Sequence, residues 1–204
     1  MQKGRYHVLE KQKTSPALNP ERGMMMCKNI LVISTSPRKN GNSELLANEF
    51  ARGALESGHK VEKISLYDKE IGFCKGCLAC QKTLRCVIHD DADTIAQKMR
   101  VADTIVFATP IYYYEMCGQM KTMLDRGNPL YSADYSFREV YLLAAAAEEE
   151  ESTIDGAVHG LNGWLACFPK ARLAGTVFGG GVSDAGEIKG HAALLKAYEM
   201  GKSV

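Results

Sequence analysis

The sequence lacks the features that mark membrane, secreted and nucleic-acid-binding proteins. Among its 204 residues no apolar stretch approaches the length needed to cross a bilayer, and residues 1–23 lack the apolar run of a secretory signal. Charge is nearly balanced, with 25 basic and 24 acidic side chains, and no Lys/Arg run offers a footprint for nucleic acid or an anionic membrane. We therefore expect a cytoplasmic protein whose partner is a small molecule or another protein, with no nucleic acid and no membrane involved.

The sequence also lacks the glycine motifs of the common nucleotide sites. Neither Gly-x-Gly-x-x-Gly nor the Gly-Lys-Ser/Thr loop is present, which disfavours a dinucleotide in a Rossmann site and a nucleoside triphosphate. The five histidines show neither metal-ligand spacing nor pairing with a nucleophile, so a Ser/His/Asp hydrolase has no support. We name no catalytic side chain.

What the sequence does contain is enough apolar content for one sizeable core. At 46% apolar residues, the chain reads as a single domain over residues 27–204. Residues 1–26 read as a polar N-terminal tail with Pro16 and Pro20. Disorder is the expectation for this tail, and an arm that packs on a partner subunit is the alternative.

Strand-like and helix-like segments alternate along the domain. Residues 29–34 are a continuous apolar run, as a parallel strand covered on both faces requires. Further strands are predicted over 61–66, 104–108, 140–147 and 171–178. Helices are predicted over 43–57, 90–100, 118–125, 153–168 and 187–200. Five strands that alternate with helices predict an α/β fold with three layers and an open parallel sheet.

In such a sheet the ligand crevice lies beyond the carboxyl ends of the strands. The loop after the first strand offers hydroxyl, amide, guanidinium and backbone N–H donors close to a helix N-terminus, which suits a phosphate group. Its candidate phosphate-binding residues are Ser36, Arg38, Asn40, Asn42 and Ser43. The alternative is an ordinary strand-to-helix turn, because Ser, Asn, Gly and Pro favour turns for backbone reasons alone.

The loop after the third strand carries three consecutive tyrosines. Pro110 is expected to fix a turn, and Tyr112 to Tyr114 then provide flat amphipathic surface on which a tricyclic ring can lie. Packing at a subunit contact is nearly as good an explanation for Tyr113 and Tyr114. Further along, Lys121 and the Asp125-Arg126 pair read as surface and capping charges of a helix.

Four of the seven cysteines fall within thirteen residues, at Cys74, Cys77, Cys80 and Cys86. Thiolates two residues apart can turn back onto one metal centre, and Gly76 favours the tight loop this needs. The spacing is typical of an iron-sulfur ligand loop. A structural zinc site, a disulfide pair and cysteines without a shared role remain open alternatives.

Together these motifs resemble the flavodoxin-like NADPH-dependent FMN reductase family, and within it the iron-sulfur flavoprotein branch. The resemblance is carried by Ser-Pro-Arg-Lys-Asn-Gly-Asn-Ser after the first strand, the cysteine loop, Ala-Thr-Pro-Ile-Tyr after the third strand and Lys-x3-Asp-Arg. It implies a sheet in the order 2-1-3-4-5, non-covalent FMN and a homodimer or homotetramer whose subunits together enclose the flavin. By this resemblance the residues after the first strand hold the flavin phosphate, and the ring is lined by Thr109, Pro110, Ile111, Tyr112 and Tyr113. In the same way Cys74, Cys77, Cys80 and Cys86 are expected to ligate a 4Fe-4S cluster.

Two functional classes follow for the domain. The first is an FMN-dependent oxidoreductase that moves electrons from NAD(P)H to flavin and on to an acceptor. The second is an electron carrier that accepts electrons from a ferredoxin-like protein. An FMN-binding domain whose cysteine loop only stabilises the structure is a third, simpler reading. In each case the flavin supplies the chemistry, and the protein supplies its position and surroundings.

Overall fold

The structure, a computed structural model, describes residues 26–204. Apart from Met26, the predicted polar tail over residues 1–26 therefore lies outside the described residues. The strands are β1 (Asn29–Ser34), β2 (Lys60–Ser65), β3 (Thr104–Tyr112), β4 (Glu115–Met116), β5 (Glu139–Ala145) and β6 (Arg172–Gly179). The helices are α1 (Asn42–Glu56), α2 (Cys80–Thr83), α3 (Asp91–Val101), α4 (Gly118–Arg126), α5 (Asp155–Leu165) and α6 (Ala192–Lys202). Short 3-10 segments lie at Leu66–Asp68, Asn128–Ser132 and Glu151–Ile154.

Five of the strands pair in parallel in the order β2-β1-β3-β5-β6, and β4 pairs antiparallel with β3. Counted among the parallel strands alone, this is the order 2-1-3-4-5, so the predicted topology is confirmed. In the register, Ser34 lies opposite Ala108 and Pro110 lies opposite Ala145. The loops that follow β1, β3 and β5 therefore open at the same edge of the sheet, where a flavodoxin-like fold binds its ligand.

Alternate side chains of β1 enter two separate cores. Ile30 and Val32 pack with α1 and α6, whereas Leu31 and Ile33 pack with α3, α4 and α5. All four side chains are at most 2% exposed. Helices therefore cover both faces of β1, and the three-layer prediction is confirmed. This covering explains why β1 is apolar at consecutive positions. Among the helices of residues 26–204, none combines the length and the apolar character needed to cross a membrane.

The turn expected at Pro110 was wrong. β3 continues through Pro110 to Tyr112, and the chain reverses at Tyr113 and Tyr114, which have φ values of 52° and 64°. Tyr112 then pairs with Glu115 in a hairpin with a two-residue loop. A type I′ turn has positive φ at both central positions, which usually selects Asn-Gly. Because tyrosines occupy both of these positions, the sequence did not indicate a turn there.

The last helix begins later than its pattern predicted. A helix was expected over 187–200, but Glu187 Oε2 accepts the backbone N–H of Ser183 at 2.6 Å, which holds the preceding residues in a turn. His191 Nδ1 accepts the N–H of Ala193 at 3.1 Å and so caps α6. Side-chain bonds to the backbone therefore set this boundary, which hydrophobic periodicity alone does not locate.

The tyrosine hairpin rests directly on α5, and one glycine permits the contact. A β-carbon at Gly156 would lie 2.2 Å from the carbonyl oxygen of Tyr114. We expect Gly156→Ala to destabilise the protein by about 1–3 kcal/mol, the usual cost of overpacking. Denaturant unfolding measures the change in the free energy of unfolding.

The matched control for this substitution lies on the same helix. Gly163 has no atom within 4 Å of its β-carbon position. Gly163→Ala should therefore stabilise α5 by about 0.5–1 kcal/mol, since alanine restricts the unfolded chain more than glycine does. Equal effects of the two substitutions would show that the hairpin does not pack on α5 as described.

Candidate functional site

A cleft lies at the carboxyl edge of the sheet, where the end of β3 meets the loops after β1, β5 and β6. Its lining residues are Ser36, Arg38, Gly41, Asn42, Ser43, Pro110, Ile111, Tyr112, Ala145, Ala146, Ala147, Val182, Ser183 and Ala185. Seven of the ten residues predicted to bind the cofactor are among them. The cleft thus brings together the two segments that the sequence analysis singled out, the loop after β1 and the end of β3.

The side chain of Ser36 holds the loop after β1 closed by bonding to the loop's own backbone. Ser36 Oγ accepts the N–H of Arg38 at 3.1 Å and donates to the carbonyl oxygen of Arg38 at 3.0 Å. A β-carbon at Gly41 would lie 2.5 Å from Ser36 Oγ. Glycine is therefore required at this position so that the loop can approach itself closely.

Ser43 is the most informative residue of the cleft. It lies in the first turn of α1, which begins at Asn42 without a side-chain cap. Its side chain is buried, with 1% of the residue exposed, and Oγ has no hydrogen-bond partner. Burying a hydroxyl without a partner is unfavourable, and the first N–H groups of a helix also lack partners within the helix. An anionic group in the cleft would accept hydrogen bonds from the Ser43 hydroxyl and from these N–H groups. The start of α1 therefore suits a phosphate monoester.

Asn42 and Arg38 bind the opposite wall of the cleft. Asn42 Nδ2 donates to the carbonyl oxygen of Asp184 at 2.9 Å, and its Oδ1 accepts the N–H of Ile188 at 3.2 Å. Arg38 Nη1 donates to the carbonyl oxygen of Ser183 at 2.8 Å. Both side chains were predicted as phosphate donors, and the structure shows that they also fix the loop after β6.

The loop after β6 was missed by the sequence analysis, although it supplies part of the cleft wall. The N–H of Val182 donates to the carbonyl oxygen of Ala146 at 2.9 Å, and the N–H of Gly181 donates to that of Glu148 at 3.1 Å. A β-carbon at Gly180 would lie 2.6 Å from the Glu148 oxygen. The glycine triplet at 179–181 was the available signal, because closely apposed backbones select glycine.

Three predicted site residues do not line the cleft. Asn40 is exposed, and its backbone N–H donates to Glu44 Oε2 at 2.8 Å. Thr109 is buried behind the cleft, where its Oγ1 accepts the N–H of Cys117 at 3.1 Å. Tyr113 is fully exposed at the tip of the hairpin. The structure places these residues behind or outside the cleft.

The four cysteines of the predicted metal centre lie in different environments. Cys74 and Cys77 are exposed, Cys86 is half-buried and Cys80 is buried. Within residues 26–204, no three Cys, His, Asp or Glu side chains are close enough together to share a metal ion. The four sulfurs are therefore not gathered in this structure.

The donors around the sulfurs nevertheless suit thiolate ligands. The N–H of Gly76 donates to Cys74 Sγ at 3.4 Å, and Asn128 Nδ2 donates to Cys80 Sγ at 3.2 Å. Protein N–H groups around ligand sulfurs are typical of iron-sulfur sites. The chemistry of the donor set thus fits a cluster.

The prediction that Arg126 is a surface charge of α4 was wrong. Its side chain is fully buried and forms a two-pronged pair with Asp90, with Nη1 at 2.6 Å from Oδ2 and Nη2 at 2.7 Å from Oδ1. Nη1 also donates to the carbonyl oxygen of Gly72 at 2.7 Å, and Nη2 donates to that of Ile88 at 3.1 Å. Gly72 and Ile88 flank the cysteine loop, so Arg126 holds its two ends together.

The pKa values of this ion pair are shifted in the directions that favour both charges. Burial alone would raise the pKa of Asp90, but hydrogen bonds from Arg126 and from the N–H of Gly72 outweigh it and lower the pKa below its usual value. The Asp90 carboxylate raises the pKa of Arg126 against the opposing effect of burial, and the neighbouring Cys86 side chain acts in the same direction as Asp90. The cysteine loop is therefore held by a charged pair at neutral pH.

The fold and the cleft define a flavodoxin-like protein with a polar loop after its first strand. Residues 28–182 match the model of the NADPH-dependent FMN reductases, and the chain belongs to that family.

Several known proteins are similar to parts of this chain. It is 42% identical over 101 residues to an iron-sulfur flavoprotein of Methanocaldococcus jannaschii, a match that covers 50% of this chain and 52% of that protein. It is 39% identical over 94 residues to an iron-sulfur flavoprotein of Methanosarcina thermophila, covering 46% of this chain and 49% of the other. The chain spans about half the length of these two relatives.

Among solved structures, the fold is similar to that of an NAD(P)H:quinone oxidoreductase from Methanothermobacter marburgensis. The TM-score is 0.68 at 15% identity, and the match covers 87% of this chain and 96% of the other. At this level of identity the similarity concerns the fold alone.

Proposed function

We propose that the protein is an FMN-dependent oxidoreductase that transfers electrons from NAD(P)H to flavin and then to an acceptor. The observation that carries the proposal is the buried, unpartnered hydroxyl of Ser43 at the start of α1, on the wall of a cleft at the carboxyl edge of the sheet. It marks a place for one phosphate group, which FMN possesses. Membership of the NADPH-dependent FMN reductase family supports the same reading.

Different residues of the cleft would contact the phosphate and the ring of FMN. Ser43 and the first N–H groups of α1 would hold the phosphate, and Arg38 would add positive charge at its edge. Ser36 would keep the loop in shape through its bonds to Arg38. Pro110, Ile111 and Tyr112 would lie beside the ring. The small side chains at 145–147 leave room for it between the end of β3 and the loop after β5. When bound, the flavin accepts a hydride as an electron pair and releases electrons singly.

The nature of the electron donor is tested by mixing the FMN-loaded protein anaerobically with NADPH or NADH in a stopped-flow instrument. We expect NADPH or NADH to bleach the flavin absorbance within the turnover time of the enzyme. A Ser43→Ala variant saturated with FMN serves as the matched control, because it alters phosphate binding and leaves the ring surroundings in place. A flavin that stays oxidised with both nucleotides, yet is reduced by a ferredoxin-type protein, would contradict a nicotinamide-dependent reductase.

A second candidate function is that of an iron-sulfur flavoprotein which carries electrons from a ferredoxin-like donor. It is favoured by the cysteine loop, by the N–H donors to Cys74 and Cys80 and by the names of the relatives. We infer that Cys74, Cys77, Cys80 and Cys86 bind one 4Fe-4S cluster. Iron per chain after anaerobic reconstitution tests this, with Cys77→Ala as the comparison. Iron well below about four per chain would leave a plain flavin reductase.

We also propose that the protein is a homodimer or homotetramer with the tyrosine hairpin near a subunit boundary. Tyr112, Tyr113 and Tyr114 are all exposed beside the cleft, and clustered aromatic side chains commonly mark protein contacts. Light scattering at micromolar protein concentration measures the mass. A monomer would contradict the proposal.

A further inference from the structure

We propose that Asn128 acts as an outer donor to the sulfur of Cys80 and thereby tunes the reduction potential of the metal centre. The inference rests on the cluster proposed above, but it concerns a residue outside the four-cysteine motif. Asn128 would not be a metal ligand. It is a positioning residue, since it would act through the sulfur that it contacts.

The contact joins the side-chain amide of Asn128 to the buried sulfur of Cys80. Asn128 begins the 3-10 segment Asn128–Ser132, and its Nδ2 lies 3.2 Å from Cys80 Sγ. Cys80 is only 7% exposed and begins α2, which packs against that segment. The amide therefore meets the sulfur in a site that water reaches poorly.

Arg126 lies two residues away and fixes the ends of the cysteine loop. Its buried guanidinium binds Asp90 and the carbonyl oxygens of Gly72 and Ile88, which flank that loop. Cys74 and Cys77 lie on the exposed part of the loop, whereas Cys80 is buried. Cys80 is therefore held against rigid structure before any metal binds.

An N–H group that points at a thiolate sulfur stabilises negative charge on it. A reduced cluster carries one more negative charge than an oxidised cluster, so such a donor favours the reduced form and makes the potential less negative. Removing the donor should have the opposite effect. The effect should be specific to residues that touch a sulfur.

The test compares Asn128→Leu with Gln97→Leu in the reconstituted full chain. Gln97 Nε2 donates to the carbonyl oxygen of Leu84 at 2.9 Å, so it supports the same loop without touching a sulfur. An electron-paramagnetic-resonance redox titration measures the midpoint potential. We expect Asn128→Leu to shift it by about 59 mV to more negative values, which corresponds to a tenfold weaker electron affinity of the one-electron couple. Gln97→Leu should leave it unchanged.

A second variant and a second measurement separate this inference from the proposed function. Asn128→Asp keeps the side-chain shape but replaces the donor with a carboxylate oxygen, and it should shift the potential further in the same direction. In the metal-free chain, mass spectrometry of alkylated cysteines should show faster labelling of Cys80 in Asn128→Leu than in the wild type or in Gln97→Leu.

The inference is overturned if Asn128→Leu leaves the potential unchanged or if Gln97→Leu shifts it equally. A wild-type chain that takes up no iron would instead refute the proposed cluster and the tuning role with it. The alkylation pattern would then decide the Asn128 contact by itself. Equal labelling of Cys80 in all three proteins would refute that contact.

Discussion

Replacing Arg126 by methionine is expected to lower the free energy of unfolding by about 3–5 kcal/mol, because one partner of a buried ion pair is removed and the other is left without compensation. The Arg126 side chain is fully buried, and the side chain of Asp90 is 13% exposed. The substitution also leaves the carbonyl oxygens of Gly72 and Ile88 without their donor. Denaturant unfolding by circular dichroism measures the loss, and the cysteine loop should become sensitive to proteases.

Lys121→Met is the matched control on the same helix. Lys121 pairs with Asp125 at 2.7 Å, but both side chains are about half exposed or more. An exposed pair of this kind contributes only about 0.2–1 kcal/mol. If Arg126→Met costs no more than Lys121→Met, the cysteine loop is not held by the buried pair.

The effect of Arg126→Met should also depend on pH. The pKa of Asp90 in the folded protein is lowered from the ordinary value of 3.8, so its charge stabilises the fold above that value. This contribution is lost as the pH falls through the lowered folded-state pKa. In the variant, burial without the Arg126 partner raises the pKa of Asp90, so this carboxyl takes up a proton at a higher pH than in the wild type. The difference in the free energy of unfolding between wild type and variant should therefore shrink as the pH falls, beginning above the ordinary value and continuing through the lowered pKa of the wild type. A difference that stays constant from about pH 8 down to about pH 3 would contradict this assignment.

Replacing Ser43 by alanine is expected to weaken FMN binding about ten- to a hundredfold, since a hydrogen bond to a charged group contributes about 1.5–3 kcal/mol. The stability of the flavin-free chain should stay the same or rise, because Ser43 Oγ has no partner to lose. Flavin fluorescence titration measures the affinity, and thermal unfolding measures the stability. Arg38→Ala should weaken binding as well, but it also breaks the bond to Ser183 and is less specific.

Ser34→Ala provides the control for Ser43→Ala. Ser34 is likewise fully buried with an unpartnered Oγ, but it does not line the cleft. We expect Ser34→Ala to change the stability of the flavin-free chain as Ser43→Ala does, and to leave the FMN affinity unchanged. Equal FMN affinity of the wild type and Ser43→Ala would show that the phosphate does not bind at Ser43. Release of FAD from the denatured protein would show that the bound flavin is not FMN.

The architecture could be predicted because it depends on features that are local along the chain. The apolar run of β1 requires a strand covered on both faces, and alternation with helices requires parallel pairing. The order 2-1-3-4-5 came with the family resemblance. The turn at Tyr113 and Tyr114 could not be predicted, because the hairpin is maintained by pairing with β4 and by contact with α5 at Gly156. Those contacts override the preference of tyrosine for negative φ.

By itself, the sequence determined the parallel sheet, the position of the cleft and the two segments that form most of it, because strand and turn preferences act between near neighbours. Only the tertiary structure decided which polar groups face the cleft and which hold the walls together. Arg126 shows the difference most clearly: in the sequence it is one more charge on a helix, and only the approach of a loop 36 residues earlier in the chain buries it against Asp90. Burial and pairing across such distances depend on the packed fold, which no local pattern encodes.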